Sequence, residues 1–227
     1  MTSHASSLLA IFDHDGVLVD SLAFHQEAWV ELGRRTGLGI TSEFVHETFG
    51  MTNPSILKRL LGDRITDPEI ARYSDLKEEC YRSLARGRID LMAGVRSTLD
   101  ALMQAGVLLA IGSSGVRPNL ELTIRECGLE GRFATVTGLE DITRGKPDPQ
   151  VFLLTAEQVG VSPSRTVVFE DAPVGIQAAK AAGMHAVGVT TSHPVPALLA
   201  AGADQVVESL VDFPIAPLLD RLAASVV

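Results

Sequence analysis

The chain has 227 residues, of which 46% are hydrophobic and 21% charged, and a formal net charge of −9. That length supports a sizeable core, either one large α/β domain or a core carrying an insertion, and the composition is that of a packed globule rather than a disordered chain. The acidic balance argues against nucleic acid and anionic membranes as partners, because both are bound through basic patches; an anionic ligand must be held by local groups.

The N-terminal MTSHASSLLAIF lacks the basic flank and long apolar core of a signal peptide, and no apolar stretch reaches the length of a membrane span, so the expected compartment is the cytoplasm. Its apolar run Leu8-Leu9-Ala10-Ile11-Phe12 predicts a strand buried on both faces. Directly after it stand Asp13 and Asp15, in the stretch FDHDGVLVDS. Asp and Gly are ordinary turn formers, so Asp-x-Asp-Gly has a plain reading as the exit from a strand. Two carboxylates this close also repel unless a cation or a proton offsets them, and the simplest offset is Mg²⁺.

Residues 21–88 contain no strand pattern. Phe24, Ala28 and Leu32 recur at four-residue spacing, and Tyr73, Leu76, Cys80 and Leu84 at three and four, which predicts a helical insertion. It leaves the chain just after the aspartate pair and returns at Ile89 to Gly94, the placement of a lid. Cys80 and Cys127 are too few for a disulfide framework or a metal set and read as small apolar residues on helix faces.

From residue 89 onward, apolar or β-branched runs recur at Val107 to Ile111, Ala134 to Thr137, Thr166 to Phe169 and Ala186 to Thr190, with a shorter one at Gln205 to Val207. Helical stretches at Val95 to Gln104, Pro149 to Val159 and Val174 to Ala182 separate most of them, and Val211 to Val227 reads as a final helix with Pro214 and Pro217 near its start. Alternation of this kind predicts an α/β fold, a doubly wound, Rossmann-like parallel sheet formed by residues 1–20 and 89–227, with residues 21–88 as an inserted α-helical cap. In such a sheet the residues after the strands meet at one edge: Asp13 and Asp15, Ser113 and Ser114, Lys146, and Glu170 with Asp171. Each has a structural alternative. Ser113 and Ser114 could cap the next helix, Asp171 could cap the helix from Val174, and Lys146 could be a solvated loop lysine. Against the last, Gly145-Lys146-Pro147-Asp148-Pro149 biases Lys146 toward an extended backbone, which allows it to be aimed.

Together these motifs, in order Asp-x-Asp-Gly, Ser after the second strand, Lys-Pro-Asp-Pro ahead of a helix, then Phe-Glu-Asp with a following Gly and Ala-Ala-Lys-Ala-Ala-Gly, resemble the haloacid dehalogenase-like hydrolase superfamily over nearly the whole chain. Asp20-Ser21 to His25, then Ala28-Trp29, make the chain most similar to the branch of β-phosphoglucomutases and small sugar-phosphate phosphatases with a helical cap. Dehalogenases of the superfamily lack the second aspartate, and Asp15 is present.

The resemblance implies Asp13 as nucleophile, Asp15 as general acid and base, and Mg²⁺ held by Asp13, the backbone carbonyl of Asp15 and Asp171, with Glu170 as an additional or outer ligand. It implies Ser113, Ser114 and Lys146 as phosphate-binding residues, and a His14 whose backbone contributes while its side chain points away as a spectator. His25, Asn53 and Arg117 stand as candidate substrate contacts. The implied activity is Mg²⁺-dependent hydrolysis of a small phosphomonoester, such as a sugar phosphate or related metabolite, through an aspartyl-phosphate. A β-phosphoglucomutase-like isomerase is the alternative, and a non-catalytic metabolite binder a third. The mutases of the family carry a cap arginine three residues after a glycine, whereas Gly50-Met51-Thr52-Asn53 ends in asparagine, leaving Arg117, Lys58 or Arg59 as substitutes. Nothing in the sequence decides between a monomer and a small homo-oligomer.

Overall fold

A computed structural model describes residues 7–48 and 51–224. In chain order, β1 (Leu9–Phe12) is followed by the helices α1 (Leu22–Thr36), α2 (Ser42–Glu47), α3 (Asn53–Leu61) and α4 (Asp67–Ala85). After these come α5 (Val95–Gln104), β2 (Leu108–Gly112), α6 (Arg117–Glu126), β3 (Thr135–Thr137), α7 (Gln150–Val159), β4 (Thr166–Glu170), α8 (Pro173–Ala181), β5 (His185–Val189), α9 (Val195–Ala200), β6 (Gln205–Val207) and α10 (Ile215–Ala224). The chain divides into two compact units, Met1–Asp20 with Asp90–Val227, and Ser21–Ile89.

The first unit is a six-stranded parallel sheet of order β3-β2-β1-β4-β5-β6, so the fold is a Rossmann-like α/β sheet flanked by helices. β1 sits between β2 and β4, with Ile11 opposite both Ala110 and Val168. Its four residues are fully buried, as a parallel strand covered on both faces requires. On one face Leu9, Ile11, Ala110 and Val168 pack with Val151, Phe152 and Ala156 of α7 and Ile176 and Ala179 of α8. On the opposite face Phe12 stacks on Phe169 with ring centroids 4.6 Å apart, and Phe213 meets Phe169 edge-on.

The second unit is helical, and its core is Trp29, Leu32, Ile40, Val45, Ile56, Leu57 and Ile70. α1 ends at Gly37, whose left-handed backbone (φ 72°) lets its N–H close on the carbonyl of Gly33. No helix among the described residues is long and apolar enough to cross a membrane. The last helix is shorter than its sequence pattern: Pro214 lies just before it and Asp212 takes a positive φ of 50°, so the helix starts at Ile215, and residues 225–227 lie outside the described residues.

Candidate active site

The carboxyl edge of the sheet collects the polar residues. Asp13 follows β1 and its N–H donates to the carbonyl of Phe169 at 3.0 Å, which locks it beside the end of β4. Glu170 ends β4 and Asp171 follows it. On the other side of β1, Ser113 follows β2 and its N–H donates to Thr137 at the end of β3.

Asp13, Glu170 and Asp171 are all buried, and one carboxylate oxygen from each lies within 4.8 Å of the others. Lys146, its side chain only 7% exposed, reaches in from the segment before α7 and donates to Asp13 Oδ1 at 2.8 Å and Glu170 Oε1 at 2.7 Å. The peptide bond from Lys146 to Pro147 is cis. Glu170 Oε2 accepts from the N–H of Ala172 at 2.7 Å, so both its oxygens are engaged by the chain itself.

The electrostatics follow from this crowding. Burial, with Glu170 and Asp15 nearby, pushes the Asp13 carboxyl up to about 6 although Lys146 pulls the other way. Asp171 rises to about 8, again from burial first and then from Glu170 and Asp13. Burial alone would lower the pKa of Lys146; Asp13 and Glu170 outweigh it and hold the ammonium charged. Three carboxylates against one ammonium leave net negative charge in a desolvated space, which a hard divalent cation with oxygen ligands offsets. Two glycines make room for the set. A Cβ on Gly16 would lie 2.0 Å from Asp171 Oδ2, and one on Gly175 would lie 1.7 Å from Glu170 Oε1. The donor set therefore fits Mg²⁺.

The plain alternatives for two of these residues fail. Asp171 does not cap α8, whose N-cap is Ala172 with Pro173 next. Ser113 does not cap α6, whose N-cap is Val116; its Oγ instead accepts from the N–H of Gly115 at 3.1 Å within the turn. Ser114 is exposed in the same turn. The side chain of Asp15 is not part of the carboxylate trio.

His14 departs from expectation. Its side chain does not point away as a spectator: it is buried, its Nδ1 pairs with Asp15 Oδ1 at 2.9 Å, and its Nε2 pairs with Thr123 Oγ1 of α6 at 2.7 Å. Burial alone would push the imidazolium pKa down; Asp15 and Asp13 beside it outweigh that and hold it up. Arg117 is engaged within its own surroundings: Nη2 donates to Asp141 at 2.5 Å, and its backbone N–H donates to Glu140. Arg59 in α3 faces Glu47 at 3.5 Å.

The helical unit has a polar cluster of its own. Lys77 Nζ, buried in α4, donates to His25 Nδ1 at 2.7 Å and Glu78 Oε1 at 2.8 Å, and Asn53 Nδ2 donates to the same Glu78 oxygen at 2.8 Å. His25 stacks on Tyr81 with ring centroids 4.2 Å apart. Burial opposes the Glu78 charge, but Lys77, His25 and Asn53 together hold its carboxyl below the usual range. The structure thus brings the expected His25 and Asn53 into one network. Gly50, the start of the glycine-to-asparagine motif, lies outside the described residues. Lys77 and Glu78 were missed in the sequence. Their signal was a charge on an apolar stripe, since Lys77 falls at four-residue spacing between Tyr73 and Tyr81. Also missed was Ser192, whose Oγ donates to the carbonyl of Asp171 at 3.1 Å.

This sheet order, with a buried acidic cluster beyond β1 and β4, defines a Rossmann-like α/β enzyme with its chemistry at the carboxyl edge. A family profile for haloacid dehalogenase-like hydrolases matches residues 10–189, and the chain belongs to that family. Among its relatives, validoxylamine A 7'-phosphate phosphatase of Streptomyces hygroscopicus subsp. limoneus is 32% identical over 90% of this chain and 94% of its own. Hexitol phosphatase A of Escherichia coli (strain K12) is 33% identical over 83% of this chain and 85% of its own. Among solved structures, a family IA, variant 3 hydrolase from Entamoeba histolytica HM-1:IMSS superposes with a TM-score of 0.85 at 26% identity, covering 95% of this chain and 99% of that one. These relatives place the chain among the family's phosphoric monoester hydrolases.

Proposed function

We propose that the chain is a Mg²⁺-dependent phosphatase of a small phosphomonoester, a sugar phosphate or related metabolite, working through an aspartyl-phosphate. The observation that carries this reading is the buried set of Asp13, Glu170 and Asp171 with Lys146 bridging two of them, at the edge where Asp15 and Ser113 also sit. Relatives named for a hexitol and for validoxylamine A 7'-phosphate support the substrate class.

In this mechanism Asp13 attacks phosphorus in line. Its bond to phosphorus forms as the bond to the ester oxygen breaks, and Asp15 gives that oxygen its proton. Asp15 then takes a proton from the water that attacks the aspartyl-phosphate, releasing inorganic phosphate and restoring Asp13. Lys146, Ser113 and the backbone N–H groups at His14 and Ser114 hold the non-bridging oxygens where charge develops. Asp13, the carbonyl of Asp15 and Asp171 would hold Mg²⁺, with Glu170 outside them; when bound, the ion neutralises the phosphoryl group and the crowded carboxylates.

A mutase must grip a second phosphate. Asn53, where the mutases carry arginine, is neutral and donates to Glu78, which favours hydrolysis over isomerisation. The test is a screen of phosphomonoesters with Mg²⁺, run beside an assay for interconversion of β-glucose 1-phosphate and glucose 6-phosphate. We expect phosphate release that stops on chelation, returns with added Mg²⁺, and falls at least about a thousandfold in Asp13→Asn. Isomerisation without phosphate release would overturn the phosphatase, and no turnover of any ester would leave only a binding protein.

A further inference from the structure

We infer that His14 is a positioning residue for Asp15, fixing which oxygen of that carboxyl group delivers and takes the proton, and that Thr123 fixes His14 in turn. The inference rests on the phosphatase reading above and deepens it.

Side chains of consecutive residues in an extended strand point to opposite faces. Here the chain has left β1 and turned at Gly16 (φ 75°), with the N–H groups of Leu18 and Val19 both donating to the carbonyl of His14. The turn lets neighbouring side chains pair, and His14 Nδ1 reaches Asp15 Oδ1 at 2.9 Å. The ring is 1% exposed, so its second nitrogen also needs a partner, and Thr123 supplies it from a fully buried position on α6. The imidazole is thus held at both nitrogens inside the sheet-bearing unit. Asp15 is different: its side chain is 38% exposed, and a carboxylate in that setting samples several rotamers unless tethered.

The tether sets the chemistry. With the ring hydrogen assigned to Nδ1, a proton on Oδ1 would meet it, so the carboxylic proton resides on Oδ2. That oxygen lies on the side of the Ser113 turn: a Cβ built on Gly115 would be 3.8 Å from Asp15 Oδ2 and 3.4 Å from Ser113 Oγ. The proton passes from Oδ2 to the ester oxygen as the phosphorus–oxygen bond breaks, and the same Oδ2 later takes the proton of the attacking water. His14 loses and gains nothing; it holds the geometry. An apolar residue would fill this space with no buried nitrogen to satisfy, so packing alone does not explain a histidine here.

The leaving group provides the readout, because 4-nitrophenolate departs without being protonated and an alkoxide does not. We compare kcat/KM on 4-nitrophenyl phosphate and sorbitol 6-phosphate, or whichever alkyl phosphate the screen turns over fastest. His14→Leu should lose about 10²-fold on the alkyl ester and less than about threefold on the aryl ester, because kcat/KM covers the steps up to the aspartyl-phosphate, where Asp15 acts only as general acid. The loss should fall on kcat, with KM unchanged. His14→Asn, whose Nδ2 stands where the ring Nδ1 did, should recover most of the loss, and His14→Leu added to Asp15→Ala should cost nothing further. Should His14→Leu fail to fold, Thr123→Val leaves the ring in place without its outer partner; it should show the same selective loss on the alkyl ester, at about three- to tenfold. An equal loss on both esters, or none on the alkyl ester, overturns the inference while leaving the phosphatase standing. A wild-type chain that cleaves neither ester overturns the phosphatase reading itself.

Discussion

Lys146 shows how much one side chain can settle. It stands between Asp13 and Glu170 at 2.8 and 2.7 Å, and its ammonium lies 4.9 Å from the ring centroid of Phe152. With the lysine present, two of the three buried carboxylates share a positive partner; without it they face one another in a desolvated space. Lys146→Met should therefore lower kcat by about 10²- to 10³-fold, the loss seen when a preorganised electrostatic donor is removed from an active site. Lys146→Arg should not rescue it, because a planar guanidinium cannot place one compact charge between two carboxylates from the same backbone position. Initial rates on the phosphomonoester chosen in the screen, with circular dichroism to confirm folding, decide the matter; near wild-type rates in either variant would count against the role.

Helix α8 contributes through what it omits. Gly175, in its first turn, lies where a Cβ would stand 1.7 Å from Glu170 Oε1 and 2.0 Å from Glu170 Cδ. Alanine is favoured over glycine in a helix interior by about 1 kcal/mol, so intrinsic propensity alone would make Gly175→Ala stabilising. The contact reverses that: the variant should melt lower than wild type and lose at least about tenfold in rate as the Glu170 carboxylate is driven off Lys146 and Ala172. Thermal melting and initial rates on one preparation test both parts. At this scale the sequence is readable because the period of each element is local: the helix over Val95–Gln104 has the bounds its pattern indicates, and each apolar run after residue 89 overlaps a strand to within a residue at either end. The polar edge was readable too, since a parallel sheet carries every residue that follows a strand to the same end. His14 with Thr123 was not. Those two residues are 109 apart, and a single hydrogen bond across that separation has no periodicity to betray it. Lys77 with Glu78 were hidden for a related reason, because a charge on an apolar stripe reads as a defect until its partners from α1 and α3 are seen.

The two ends of the sheet carry different clusters of charged side chains. The carboxyl end crowds carboxylates together, whereas at the amino end His185, the first residue of β5, meets Asp204, Lys180 and Arg221. Asp204 accepts from Lys180 at 2.7 Å and from the N–H of Ala186 at 2.8 Å, joining β5 to the approach to β6, and His185 Nδ1 lies 3.5 Å from the same carboxylate. His185 Nε2 is buried with no hydrogen-bond partner among the described residues. Protonation would place an N–H there with nothing to accept it. Burial first, and then Lys180 and Arg221, lower the folded-state pKa of His185 below its ordinary value, and Asp204 only partly opposes them. In the unfolded chain the ring titrates near its ordinary value of about 6.5. As pH falls through that value the unfolded state takes up a proton that the folded state refuses, so stability present above it is lost toward the lower folded-state pKa. His185→Leu removes the titration and fills the site with apolar atoms. The melting temperature of the wild type should therefore fall more steeply than that of the variant as pH drops from about 7.5 to 5, a range that brackets the ordinary histidine value. Parallel profiles for the two proteins would mean that this histidine is not linked to folding, and that any acid sensitivity of the sheet arises elsewhere.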